Sequence, residues 1–335
     1  MRFFEHQDAA RGATLRLLFF FGLAVAATVA GVHLALALCW WLLTLVSPFA
    51  LDVPPLFLAV NVGVTLLLVL GGWWIETSNL QAAGGAERLA RRVGAREARP
   101  GTSHAEQRLC NIVDEVCIAA HMPRPTVRVL PRHQAINAFA AGWDENDAVV
   151  AVTQGALDLL TRDELQGIVA HECSHIHEGD TRMNMQLAGM VSGLELVWGF
   201  GDAVRERGGL AMLFGGAIMA IGSAGWYAGR ALQASVSRQR EFLADARAVQ
   251  WTRSRDGLGG VLRKAMTQRA EAATMPSDPP WPPTVQHLLL MGRLAERGGW
   301  FDAHPPLALR VQRLYGRPMP PLPLDRAAAT PVTWA

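Results

Sequence analysis

From about Leu17 to Val46 the chain is an almost unbroken apolar run, and a second run extends from Pro55 to Ile75. At about 1.5 Å per residue, roughly 20 residues cross the hydrocarbon core of a bilayer, where a helix satisfies its own backbone polar groups. The two runs therefore predict a transmembrane helical hairpin. The first is too long for a signal-peptide core of roughly 7–15 residues and reads as a retained span. Lys and Arg are missing from the connecting Ser47–Pro54 stretch. Arg2, Arg11 and Arg16 precede the first run, and Arg88, Arg91, Arg92, Arg96 and Arg99 follow the second. The positive-inside bias then puts both ends of the hairpin in the cytoplasm. Trp40-Trp41 and Trp73-Trp74 fall near opposite membrane faces, where interfacial aromatics gather, although paired tryptophans serve core packing equally well.

Two further apolar runs, about Met185–Phe200 and Leu210–Ala228, lie deeper in the chain. The third run is short for a span and carries Glu195, so the residues leave two arrangements open: a tilted or re-entrant membrane hairpin, or a hairpin buried in protein. Arg230, Arg238, Arg240 and Arg247 follow, and either arrangement returns the chain to the side it left. The expected organisation is a membrane hairpin over 1–80, a soluble domain made of 81–184 and 229–316, an apolar hairpin over 185–228, and a Pro-rich irregular tail over 317–335. A hydrophobic fraction of 50%, a charged fraction of 18% and a mean hydropathy of +0.17 fit a membrane protein with a substantial soluble part. A net charge of +2 leaves no electrostatic footprint for nucleic acid, which is excluded as a partner. Cys39, Cys110, Cys117 and Cys173 show no C-x-x-C spacing, and Cys39 lies in an apolar run; reduced thiols fit better than a disulfide framework or a cysteine zinc site.

Within the soluble part, apolar residues at helical spacing predict a helix over Glu106–Ala120, ended by Pro123 and Pro125. Thr126–Leu130 and Ala148–Val152 read as strands, with Asn137–Ala140 as a third and residues 142–147 as turn material. Thr153 opens a helical segment through Leu160. Thr161-Arg162-Asp163-Glu164 is a capping-box pattern for the helix after it. Ser237–Val249 reads as a charged helix and Pro276–Pro283 as a surface loop.

The capped helix carries His171-Glu172-Cys173-Ser174-His175. At about 100° per residue the two histidines share one face and Glu172 lies on their flank. Neutral imidazoles four apart, with a carboxylate beside them, are the HExxH arrangement: two zinc ligands and a base placed to hold water. A metzincin would need Gly at 178 and His at 181, where this chain has Glu178 and Thr181. The third ligand is better sought at Glu241, which shares a helical face with Asp245. One of these carboxylates can bind the metal while the other orients a histidine. His177 and Cys173 fall about 200° from the ligand before each, so a surface histidine and a packed thiol are expected.

Four blocks then resemble the HtpX family of membrane-integrated zinc metallopeptidases, relatives of the CAAX prenyl proteases. They are Asn137-Ala138-Phe139-Ala140-Ala141-Gly142, the HExxH helix with its Gly179-Asp180 exit, Ser237–Glu241 continuing through Ala244-Asp245, and His304-Pro305-Pro306-Leu307 with Arg310. The resemblance implies a mainly α integral membrane protein whose α+β, zincin-like (gluzincin) protease domain contains a small sheet and is interrupted by the second apolar hairpin. It implies one zinc ion (Zn2+) per chain held by His171, His175 and Glu241, with Glu172 as the catalytic carboxylate and Asp245 behind the ligands. Asn137, Ala138, Phe139 and Ala140 resemble the family's substrate-aligning edge strand, although an internal strand fits the residues equally. His304 and Arg310 are open to two roles, oxyanion support or helix capping and structure. The expected function is a multi-pass inner-membrane zinc endopeptidase, active site cytoplasmic, acting on membrane or misfolded proteins in quality control. Two alternatives are a processing peptidase for prenylated or short peptides and a noncatalytic zinc-tied scaffold. Structural zinc sites carry four protein ligands, whereas this pattern supplies three.

Overall fold

The computed structural model describes residues 2–49, 51–81, 85–271, 281, 289–290 and 304–324. It is mainly helical with one small sheet. The chain divides into two compact units, residues 1–79 with 186–233 and residues 80–185 with 234–335.

The first unit holds the apolar helices. Helix α1 (Arg2–Val46) and α2 (Phe57–Gln81) contain the first two runs, and α7 (Asp180–Arg205) and α8 (Leu210–Thr252) contain the last two. All four are long and apolar enough to cross a membrane, with mean hydropathy of 2.1 and 1.9 in the first pair and 1.2 and 1.4 in the second. Helix α7 starts before its apolar run and continues past it, so its 26 residues make about 39 Å and remove the length objection to a span. Small residues set the packing. A Cβ at Gly193 of α7 would lie 2.2 Å from the Val69 carbonyl oxygen of α2, an approach that only glycine permits. The Trp41 and Trp74 rings are mostly exposed, whereas Trp40 and Trp73 are half-buried.

The second unit contains α3 (Gly85–Arg92), β1 (Arg96–Glu97), α4 (His104–Ala120), β2 (Thr126–Leu130), β3 (Ala138–Gly142), β4 (Ala148–Thr153), α5 (Gln154–Leu159), α6 (Arg162–His177), α9 (Arg255–Ala270) and α10 (Leu307–Tyr315). The sheet order is β1-β2-β4-β3, with β2 parallel to β4 and the other pairs antiparallel. One face packs a core of Val127, Val150, Val152, Ala138 and Ala140 with α4, α6 and α9 side chains. The other packs Phe139, Ala141, Val149 and Ala151 with Leu89 and Ala90 of α3. Cover on both faces explains why β3 and β4 are buried throughout and lack polar alternation.

The structure departs from the sequence reading in one helix and adds detail at two further places. Ser237–Val249 is no separate helix: Arg230–Ala234 are all strong helix formers, so the fourth apolar run continues through them as the 43 residues of α8. Helix α4 ends at Ala120, as its apolar spacing predicts, and its cap is His121 in a left-handed conformation (φ 52°), two residues before Pro123. The described part of the Pro-rich tail is irregular but tied down. Leu322 N–H donates to the Arg263 carbonyl (3.2 Å), Thr267 Oγ1 to the Leu322 carbonyl (2.6 Å) and Arg263 Nε to the Pro320 carbonyl (2.7 Å). The Pro276–Pro283 loop, apart from Trp281, and tail residues 325–335 lie outside the described residues.

Candidate metal centre

Helix α6 is held from both its cap and its face. Thr161 Oγ1 accepts from Glu164 N–H (3.3 Å), while Glu164 Oε2 accepts from Thr161 N–H (2.8 Å) and from Lys264 Nζ of α9 (2.6 Å). At Gly167, a Cβ would fall 2.4 Å from the Leu258 backbone nitrogen, so the α6 and α9 backbones touch. These contacts set the rotation of α6 and direct the His171–His175 face toward the second-unit part of α8.

There the side chains converge. His171 Nε2 and His175 Nε2 lie 3.2 Å apart, His171 Nε2 is 3.6 Å from Glu241 Oε2, and His175 Nε2 is 3.5 Å from Glu241 Oε1. Ligands at zinc's usual 2.0–2.1 Å in a tetrahedron stand about 3.3 Å from one another, so these spacings fit such an ion. Among the described residues this trio is the group of three that can hold a metal. The other ring nitrogens are also engaged. His171 Nδ1 is 3.1 Å from Asp245 Oδ1, and His175 Nδ1 is 2.9 Å from Asp180 Oδ2, leaving both Nε2 atoms facing the common point.

The surrounding charges complete the fit. Arg310 is fully buried and grips Asp245 bidentately, Nε–Oδ2 2.9 Å and Nη2–Oδ1 2.6 Å, with Nη1 2.9 Å from Glu241 Oε2. His304 Nδ1 approaches Glu241 Oε1 at 3.2 Å. Glu172 is 1% exposed, and neither of its carboxylate oxygens has a hydrogen-bond partner. A buried group of three carboxylates, Glu172, Glu241 and Asp245, set against one guanidinium is short of positive charge, and a divalent cation supplies it. Burial pushes the Glu172 carboxyl above the usual carboxylate range. Burial works against protonation of His171 and His175, but hydrogen bonds and the charge of Glu241, joined at His171 by Asp245, lift both above the ordinary imidazole value. For Arg310, burial opposes the charge and the carboxylates of Asp245 and Glu241 outweigh it, raising its pKa further.

The structure brings together His171, Glu172, His175, Glu241, Asp245, His304 and Arg310. The Arg310 donors reach Asp245, Glu241 and the Leu290 carbonyl (3.3 Å). His177 points elsewhere, with Nδ1 3.5 Å from Glu145 and its ring edge-on to Trp251, and Cys173 is buried in the core. Ala138 to Ala140 lie on β3, the terminal strand of the sheet, and Asn137 immediately precedes it. Asp180 and its ion-pair partner Arg240 are the contributors that the residue-level reading missed. The available signal was Gly179, left-handed at φ 73°, followed by an acidic residue that opens α7.

Residues 103–317 match the family described as Peptidase family M48, over more than half of the chain. The chain is 34% identical over 236 residues to a protease HtpX homolog of Thermoanaerobacter pseudethanolicus, covering 66% of this chain and 75% of that protein. It is 36% identical over 220 residues to a protease HtpX homolog of Dictyoglomus thermophilum, covering 62% and 68% respectively. A protease HtpX homolog of Lactobacillus acidophilus is 32% identical over 227 residues, covering 62% and 72%. Four apolar helices, a small mixed sheet, and sequence identity carried across most of each relative lead to one assignment: the chain belongs to the HtpX family of membrane proteases within peptidase family M48.

Proposed function

We propose that the chain is a zinc endopeptidase that hydrolyses peptide bonds of membrane or misfolded proteins at the cytoplasmic face of the inner membrane. One observation carries the reading: Glu172 presents two buried, unbonded carboxylate oxygens next to a three-donor cluster of two imidazoles and one carboxylate. Three protein donors leave one position of a tetrahedron open, as in catalytic and not structural zinc sites. A zinc ion there supplies Lewis acidity that polarises a scissile carbonyl and makes water a better nucleophile at neutral pH. Glu172 takes the proton of the attacking water and returns it to the leaving amine. Asp245 and Asp180 hold the His171 and His175 rings in their tautomers, and Arg310 offsets the charge of Asp245 and Glu241. His304, buried with Nε2 unbonded, has a donor or acceptor available for the reacting carbonyl. An extended substrate adds to β3 by backbone hydrogen bonds, which accounts for broad sequence tolerance. The cytoplasmic placement rests on the arginines after the second span, and the substrate class on the union of protease and membrane helices in one chain.

The test is Glu172→Gln in the full chain. Bound metal is expected to stay at wild-type stoichiometry while turnover of an unfolded protein substrate falls by about 10²–10⁴-fold. Undiminished turnover contradicts the assignment.

A further inference from the structure

The outer edge of β3 is occupied at Ala138 and Phe139. Leu289 pairs with Phe139 as an antiparallel bridge, and Leu290 N–H donates to the Ala138 carbonyl at 2.9 Å. The two leucines alternate as a strand does: Leu289 packs with Phe139 on the α3 face of the sheet, and Leu290 packs in the core on the α6 face. The same Leu290 offers its carbonyl to Arg310 Nη1 (3.3 Å), and the guanidinium also meets the carboxylates of Asp245 and Glu241 and lies 3.5 Å from His171 Nε2. Leu290 therefore spans from the β3 backbone to the guanidinium beside the histidine pair. On one side it donates an N–H to the strand, and on the other it aims a C=O toward the charged centre. A peptide lying along β3 and presenting a carbonyl for hydrolysis would make this same pair of contacts. Both leucines are almost completely buried, at 1% and 2% exposure.

We propose that Leu289–Leu290 is an internal competitor for substrate. It occupies the acceptor on β3 and the place beside Arg310 that an extended peptide needs, so the resting protein is self-inhibited and cleavage requires this bridge to part. The inference rests on the reading of β3 as the substrate-aligning strand. It gives β3 a regulated state: unfolded chains gain access in proportion to their own strand-forming strength, because they must outcompete one hydrogen bond and two buried leucines.

Two variants of the full chain in detergent test it, with casein as the unfolded probe. Leu290→Pro keeps an apolar side chain and the carbonyl but removes the N–H that reaches Ala138. It is expected to lower KM for casein several-fold with kcat within about twofold of wild type, since only a competitor is lost. A rise in KM, or no change in either constant, overturns the inference. Phe139→Cys/Leu289→Cys places two cysteines at a narrow, non-hydrogen-bonded pair, whose Cα separation of about 4.5 Å admits a disulfide. The oxidised protein is expected to lose casein cleavage at least tenfold relative to the same protein after reduction. Equal activity in the two forms overturns the inference by a route independent of how Leu290→Pro folds. Failure of the wild-type chain to cleave or bind casein would reject the protease reading itself. Cleavage by wild type, with neither variant behaving as stated, rejects the competitor alone.

Discussion

Asp180 and Asp245 lie beside the Nδ1 atoms of His175 and His171, where a carboxylate is expected to turn the other ring nitrogen toward the proposed metal. Asp180 is hydrogen-bonded to His175 Nδ1 at 2.9 Å, Asp245 Oδ1 lies 3.1 Å from His171 Nδ1, and the two carboxylates are held by Arg240 and Arg310 respectively. Loss of such an orienting carboxylate typically costs about 10–100-fold in metal affinity, so Asp180→Ala is expected to weaken zinc binding by that factor in a chelator competition. Unchanged affinity would mean that α6 alone fixes the His175 ring. Acidification acts on the same atoms. Because burial is outweighed by Glu241 and, at His171, by Asp245, both imidazoles hold protons to higher pH than a free histidine. A protonated imidazole cannot ligate, so apparent zinc affinity is expected to fall as pH drops through these raised values, beginning above the ordinary pKa of about 6.5. Chelator titrations at stepped pH measure the onset; an onset well below 6.5 would contradict the raised values. His171, Glu172, His175 and the Glu241/Asp245 pair were legible because helical spacing alone puts them on shared faces. The pairing of Asp180 was not, because it depends on the turn at Gly179 and on Arg240, sixty residues onward.

At the scale of the element, α6 shows how local chemistry serves the site. Both halves of its capping box form, and the pattern Thr161-x-x-Glu164 predicted them; Lys264 joining Glu164 from α9 was beyond sequence reading. Thr161→Ala should cost about 1 kcal/mol of stability, read as a shift of the denaturant midpoint. Gly167→Val should cost more, at least the 1–3 kcal/mol of overpacking, because its side chain meets α9 backbone that has no rotamer to yield. Equal effects of the two substitutions would show that α6 and α9 can slide apart cheaply. A carboxylate in β1–α4 adds a pH term. Glu106 accepts from Arg96 through both oxygens and from the Arg99 amide, and these bonds, led by Arg96, hold its pKa below the usual range against burial. A depressed folded pKa contributes stability above the unfolded value of about 4.3 that is lost as pH falls through the folded one; Glu106→Gln should flatten that acid limb of a stability–pH profile. Strands β2 and β4 were readable from β-branched runs, whereas the two-residue β1 was not. The pairing of β3 with Leu289–Leu290 was not, since nothing near Leu289 marks a strand and the contact is set by the fold.

At the scale of the whole chain, one apolar hairpin separates the first two histidine donors from Glu241 in sequence, and α7 and α8 run without a break from its apolar stretches into the metal-site residues. If all four helices cross, the Ser47–Pro54 loop and the α7–α8 turn at Arg207–Gly209 face the side opposite the cytoplasm. Membrane-impermeant thiol labelling from that side should therefore modify both Asp52→Cys and Arg207→Cys in intact cells; labelling at Asp52→Cys alone would confine the second hairpin to the cytoplasmic side. The membrane character of the first pair was plain from the length of its runs. That of the second pair was ambiguous because its polar ends, such as Asp180–Asn184, look like loop in sequence but are helix in the fold. The most direct measurement of the central claim is zinc content of the purified full chain, wild type against Glu241→Ala. The three-donor site predicts about one zinc per wild-type chain and severe loss in the variant, and equal zinc in both proteins would contradict it.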